Sequence, residues 1–424
     1  MEVNETVTTV RLFVVLIGLT ALIGLLVART RAGVLPYSVA LVVAGGIAGL
    51  IFPEVNATVT PELVLIVLLP GLVFEAAYHI DFHEFRGSFG GIAVLAVPGV
   101  IVSAIVVGGV LALALGFPME LGFLVGAMVG ATDPAAVIAT FRRLPTPKRL
   151  DTLVEGESLV NDGTGLVCVI VALEFIKGGG TLEGAAGLFV IAMAVSALIG
   201  LVCGFIVSRI LVLIDDRLIE TTITVVAAYG TYLIADYFHE SGVIATLVAG
   251  VIIGNYGRRV GMTERTRTAV HEVWEFIGFL LTAVVFLLVG LAIPLTQLGD
   301  ALPWIFWGII GTLAGRAVAV YGLLGIPNRI IHRRQPAQIM PLSWLHVMFW
   351  AGLRGAVAVA VALALPEDVP QRSLIQATVF GIVIFTLLVQ GTTIQKVVEK
   401  SGALLHEATE PVPAGHPTTA AEAG

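Results

Sequence analysis

Charge is scarce in this chain. Only 12% of its 424 residues are Asp, Glu, Lys or Arg, against about 25% in a soluble domain, while 57% are hydrophobic. That balance excludes an ordinary water-soluble globule and points to an all-α, polytopic membrane protein. Cysteine is nearly missing. Cys168 and Cys203 both sit in apolar runs, a pattern that suggests neither a disulfide framework nor a metal site. A basic leader is lacking as well: Glu2 and Glu5 stand where a signal peptide carries positive charge, so the first apolar run is expected to be a retained span. His-Glu-x-x-His, a Ser/His arrangement and the Gly-x-Gly-Asp pattern of intramembrane aspartyl proteases are all absent, which argues against hydrolytic chemistry. Neither a cofactor nor a nucleic-acid partner is expected.

What the chain has in abundance is apolar runs of membrane length. At about 20 residues per span, thirteen segments emerge, near residues 10–29, 34–51, 61–79, 89–115, 119–141, 150–176, 183–213, 219–237, 242–256, 268–293, 301–326, 339–365 and 372–395. The fourth and seventh are long enough to tilt. A transporter domain is therefore expected over 1–402. Residues 403–424, with Pro411, Pro413, Gly415 and Pro417, read as a disordered tail.

Positive charge sorts the loops. With the N-terminus outside, 18 of the 23 Lys and Arg residues fall in inner loops, from Arg29 and Arg31 to Lys396 and Lys400. Only Arg11, Lys177 and Arg372 fall outside, and Arg316 and Arg354 lie within spans. This lopsidedness predicts a cell-membrane protein with its N-terminus outside and its C-terminus in the cytoplasm. It also supports the span count, because one missed span would scramble the division.

Thirteen spans divide into six, a linker and six, so spans seven apart run in opposite directions, as in an inverted repeat. The fifth contains Thr132-Asp133-Pro134-Ala135 and the twelfth Leu353-Arg354-Gly355-Ala356. Each sets a charge just before a helix breaker, with opposite sign. Proline is unwelcome inside a helix but suits its first position, and Asp is a favoured N-cap. A helix that stops near Thr132 and restarts at Pro134 is expected. Asp133 would then balance the new N-terminus, and the Thr132 carbonyl would be freed for a cation. Gly122, Gly126 and Gly130, four apart, predict a close-packed face on the same span.

The sixth span holds the remaining chemistry. A carboxylate at bilayer depth costs roughly 2.5–3.5 kcal/mol on insertion scales, and Glu157-Ser158-Leu159-Val160-Asn161-Asp162 brings two. Glu157 and Asn161, like Ser158 and Asp162, are four apart and expected near one face. Their hard oxygens suit an alkali cation. Asp162 lies about 18 Å beyond the helix start near residue 150 at 1.5 Å per residue, too deep for a cytoplasmic rim, whereas Asp151 and Glu155 suit that rim. Arg354 needs a partner at mid-span, for which Glu75 and Glu157 are both candidates. Arg316 either supplies a second counter-charge or snorkels to the surface. His79, His83, His239, His271, His332 and His346 lie mostly near span ends and read as ordinary interfacial histidines, with Glu272 and Glu275 as solvated funnel charges.

In Gly130-Ala131-Thr132-Asp133-Pro134, in Glu157-Ser158 with Asn161-Asp162, and in Gly352-Leu353-Arg354-Gly355-Ala356, the chain resembles the cation:proton antiporter-1 family, most closely its NhaP-type prokaryotic members. The span pattern extends the match over nearly the whole chain before the tail. The resemblance implies exchange of Na⁺ or Li⁺ for H⁺ by a homodimer in a prokaryotic host. It implies a mobile core of spans 4–6 and 11–13, in which the broken fifth and twelfth spans cross, and a dimerisation domain built from the other spans. Asp162 would bind either ion, with Glu157, Ser158 and the Thr132 carbonyl completing the cation shell. Asp133 would compensate helix ends, Asn161 would hold the site together, and Arg354 would be the buried counter-charge, with Glu75 an acid able to pair with it. The Asn161-Asp162 pair resembles the electroneutral branch. K⁺/H⁺ exchange and a cation channel are the alternatives.

Overall fold

Lipid offers no partners to backbone N–H and C=O groups, so apolar runs of this length close their hydrogen bonds within helices. The computed structural model describes residues 18–25, 36–51, 62–178, 182–292, 298–331 and 339–404, and among them there are helices and turns but no strand. Glu2, Glu5, Arg11, Arg29, Arg31, His332, Arg333, Arg334 and the tail from 405 lie outside the described residues.

Residues 18–25 are helical, within the first expected span. The next helices are α1 (Tyr37–Ile51), α2 (Leu63–His79) and α3 (Phe82–Leu115). The fifth expected span is two helices, α4 (Met119–Met128) and α5 (Ala135–Phe141). Then come α6 (Lys148–Ile176), α7 (Leu182–Leu211) and α8 (Arg217–Tyr237), followed by α9 (Gly242–Val260), α10 (Glu264–Leu291) and α11 (Leu302–Ile330). The twelfth span is also two helices, α12 (Leu342–Trp350) and α13 (Ala356–Leu363), and α14 (Arg372–Ser401) is last. Eight of these helices are long and apolar enough to cross a membrane among the described residues. The two broken pairs, α1 and α2 take four of the other expected spans, and the first is described only over residues 18–25.

Local chemistry sets the boundaries. Asp81 accepts from the His83 and Glu84 amides at the start of α3, and Asp216 does the same for Leu218 and Ile219 at the start of α8, each satisfying otherwise orphaned donors. At 34 residues, α3 is about 51 Å long, well beyond the hydrocarbon thickness. It takes Pro98 into a π-turn at Leu95–Gly99, where the missing amide is tolerated.

Packing divides the helices into two groups. In one, α3 lies against α4, α6 and α11, and α11 against α14; in the other, α9 lies against α2, α7 and α8, and α1 against α10. The α3–α4 contact is backbone to backbone. A side chain on Gly126 would sit 2.6 Å from the Cα of Ala104, and one on Gly122 would sit 2.8 Å from the Cα of Gly108. The glycine stripe of span five is thus the close-packed face its spacing predicts. Such an approach holds the broken span against a straight neighbour and so fixes where its break falls.

Candidate ion-binding site

The two breaks meet. After α4 ends, the chain turns and stays non-helical to Pro134, and the Asp133 amide donates to the Leu353 carbonyl at 2.8 Å. Asp133 Oδ1 accepts from the Ala135 amide at 3.0 Å, and the Ala356 amide is a second backbone donor to the same carboxylate. One carboxylate therefore faces the N-termini of both α5 and α13, where helix dipoles favour negative charge. Gly355 permits this, because a Cβ there would collide with the Asp133 carboxylate.

Arg354 does the converse. Its Nη1 donates to the carbonyls of Gly130 at 2.7 Å and Ala131 at 3.2 Å, the orphaned acceptors where α4 stops. The side chain is 2% exposed, and its amide donates to Thr386 Oγ1 at 3.0 Å. Neither Glu75 nor Glu157 forms an ion pair with it among the described residues. This corrects the expected carboxylate partner. The arginine meets carbonyl dipoles instead, because the unwound end of α4 supplies several at once.

Arg316 takes the acid that Arg354 does not. Its Nη1 and Nη2 grip the two oxygens of Glu157 as a fork, the second at 2.9 Å. Nη2 and Nε also donate to the Met348 carbonyl at 2.7 and 3.2 Å. Both partners are buried, Glu157 at 2% exposure and Arg316 at 6%. Snorkelling is therefore excluded for Arg316. The expectation that Glu157 is a cation ligand also needs correcting, since its oxygens are engaged by a guanidinium and it does not line the cavity described next.

Residues four apart on α6 do share a face, but the two pairs point in different directions. Asn161, fully buried, clamps Thr132: its Oδ1 accepts from the Thr132 amide at 3.1 Å and its Nδ2 donates to Thr132 Oγ1 at 2.8 Å. With both groups held, the Thr132 carbonyl is turned to the Ser158 hydroxyl, which donates to it. An aspartate at 161 would lack the Nδ2 donor.

Ser158 and Asp162 face a cavity of about 710 Å³ between the two helix groups. Thr132 and Asp133 reach it from the broken span, Glu75 and His79 from α2, and Glu272 and Glu275 from α10. Asp162 is half-buried. No hydrogen bond or ion pair engages its carboxylate among the described residues. Its charged neighbour is Asp133, of like sign. The cavity thus brings a carboxylate without a hydrogen-bond partner among the described residues beside a hydroxyl and a carbonyl that are hydrogen-bonded to each other, oxygen donors of the kind that suits a small hard cation.

Two features escaped the sequence reading. Glu155, assigned there to the rim, lines the cavity; its spacing of three and seven residues from Ser158 and Asp162 is the helical signal that could have placed it. Glu75 pairs with His79 at 3.2 Å rather than with Arg354, and His79 Nε2 lies 2.8 Å from His271 Nδ1. No sequence pattern marks a contact between residues 192 positions apart.

Comparison with known proteins agrees over nearly the whole chain. Residues 17–400 match the family described as sodium/hydrogen exchanger, transmembrane. The Na⁺/H⁺ antiporter ApNhaP of Aphanothece halophytica is 39% identical over 375 residues, covering 87% of this chain and 70% of that protein. The low-affinity Na⁺/H⁺ antiporter NhaS1 of Synechocystis is 38% identical, covering 86% and 69%. Among solved structures, the sodium proton antiporter MjNhaP1 from Methanocaldococcus jannaschii at pH 8 superposes with a TM-score of 0.73 at 16% identity, covering 94% of this chain and all of that one. This last likeness concerns the fold.

Proposed function

The chain belongs to the sodium/hydrogen exchanger family, and we propose that it exchanges Na⁺ (or Li⁺) for H⁺ by competition of the two ions for Asp162. The observation that carries this reading is the Asp162 carboxylate itself: deep in α6, half-buried, facing a cavity and without a cationic partner among the described residues. Deprotonated, it takes a cation together with the Ser158 hydroxyl oxygen and the Thr132 carbonyl, once the hydrogen bond between those two opens. Protonated, it is neutral and needs no cation. The bare charged form is the costly one to carry through a dry barrier, so the protein crosses loaded with one ion or the other.

One carboxylate trades one proton for one Na⁺, and no net charge moves. Asp133 and Arg354 stay occupied by helix ends, and Glu157 stays with Arg316, so none of them adds to the count. The mobile unit is the group built on α3–α6 and α11–α14, and the cavity between the groups is its inner access path. That side is cytoplasmic by the loop charges, with Arg142, Glu155 and Glu275 at the mouth. The other group supports a homodimer in the cell membrane, with the N-terminus outside and the C-terminus inside.

Reconstitution tests this directly. Proteoliposomes carrying a pH dye should collapse an imposed pH gradient on addition of Na⁺ or Li⁺, and much less with K⁺. A response to K⁺ equal to that with Na⁺ would redirect the assignment to K⁺/H⁺ exchange. Uncoupled cation flux that builds no pH gradient would mean a channel.

A further inference from the structure

At the inner mouth of the cavity, His79 and His271 form a hydrogen-bonded pair that the exchange cycle does not use. Ring nitrogens lie 2.8 Å apart, with the ring planes 70° from each other. The other nitrogen of His79, Nδ1, is 2.8 Å from the Glu75 carbonyl and 3.2 Å from its carboxylate. Two acceptors there require Nδ1 to carry a proton. Proton counting on the remaining bond is then strict. With both rings neutral, His271 donates to His79. With one added proton, His79 is cationic and donates to His271. A second added proton would leave two N–H groups pointing at each other, and the bond must break.

The surroundings favour the singly charged state and oppose the doubly charged one. His79 ends α2, where the helix dipole welcomes a cation. It faces Glu75 on its own helix and Glu155 on α6, while His271 faces Glu275 on α10 and Arg258 on α9. Glu272 and Arg142 complete the charges lining the mouth. The carboxylates around this mouth draw cations toward Asp162. A second imidazolium among them weakens that attraction and releases the link between α2 and α10.

We infer that the His79–His271 pair is a proton-operated charge gate that controls cation access to Asp162 from the cytoplasmic face. The inference rests on Asp162 being the exchange site and adds a second, separate proton to its pH response. Competition at a single carboxylate raises the apparent KM for Na⁺ by at most about tenfold per pH unit. A gate that closes on a further protonation makes the rise steeper than that below about pH 6.5, the ordinary histidine range.

The test is the apparent KM for cytoplasmic Na⁺ as a function of pH, measured in inside-out vesicles. The native protein should exceed a tenfold rise per unit in the acid limb. His271→Gln should return the slope to tenfold or less while leaving exchange above pH 8 unchanged. His271→Asn, which likewise cannot take up the second proton, should give the same loss of extra steepness, so it serves if the glutamine variant does not fold. A native slope that never exceeds tenfold, or a steep slope retained in either variant, overturns the gate. Failure of the Asp162 reading is distinct, since exchange would then survive in Asp162→Asn whatever the slope.

Discussion

Glu157 and Asp162 lie five residues apart on one helix and have opposite surroundings. Glu157 is held on both oxygens by Arg316, almost sealed from solvent, whereas Asp162 has a cavity in front of it and no cationic partner among the described residues. At about 100° per residue, five residues turn the side chain by roughly 140°, enough to move it from the packed interior of one helix group to the gap between the two. The same residue chemistry thus serves structure in one place and, in the proposed cycle, transport in the other. What decides is whether a fixed cation has already met the charge.

The largest effect should come from Asp162. Asp162→Asn keeps the volume and removes the charge, and Na⁺-dependent proton flux in proteoliposomes should fall to background while size-exclusion behaviour is unchanged. Exchange persisting in that variant would erase the distinction between the two acids.

Arg316→Ala should do the reverse, costing about 3–5 kcal/mol of stability by stranding a buried carboxylate. Thermal unfolding of the purified protein reads this. Adding Glu157→Gln to Arg316→Ala should recover a large part of the loss, and full additivity of the two would mean that the pair does not interact.

Ser158→Ala removes one oxygen from the proposed shell. It should raise KM for Na⁺ about tenfold, equivalent to about 1.4 kcal/mol, with the maximal rate little altered. An unchanged KM would take Ser158 out of the shell. Smallest of all is the response to voltage. Imposed membrane potentials should leave the exchange rate unaltered, and potential-driven Na⁺ uptake would require a second acid, Glu157 or Asp133, to cycle as well.

Much of the architecture was legible before any coordinates. Bilayer thickness sets a length that apolar runs must meet, so the helices could be placed from hydropathy, while the direction given by the loop arginines stays an expectation. Pro134 and Gly355 likewise announced the two breaks, because each stops or restarts a helix by local sterics. Helical spacing related Asn161 and Ser158 only to their neighbours on α6; it was the family resemblance that put them with Thr132, to which both are hydrogen-bonded.

Pairing across the fold was not legible. Arg316 meets Glu157 over a separation of 159 residues, and nothing in either segment says which buried arginine would take which acid. Arg354 illustrates the difficulty best: an acid was expected beside it, yet carbonyls freed at the end of α4 satisfy it. Glu155 was given to the rim because hydropathy cannot tell that α2 and α10 wall in a cavity at that depth.

The claim on which all of this depends is that Na⁺ and H⁺ exclude each other at Asp162. Proton release on Na⁺ binding tests it most directly, measured with the purified protein in weakly buffered solution across the pH range over which Na⁺ affinity changes. The account predicts a maximum approaching one proton released for each Na⁺ bound, and none from Asp162→Asn. Sodium binding without proton release, or equal release from that variant, would contradict it.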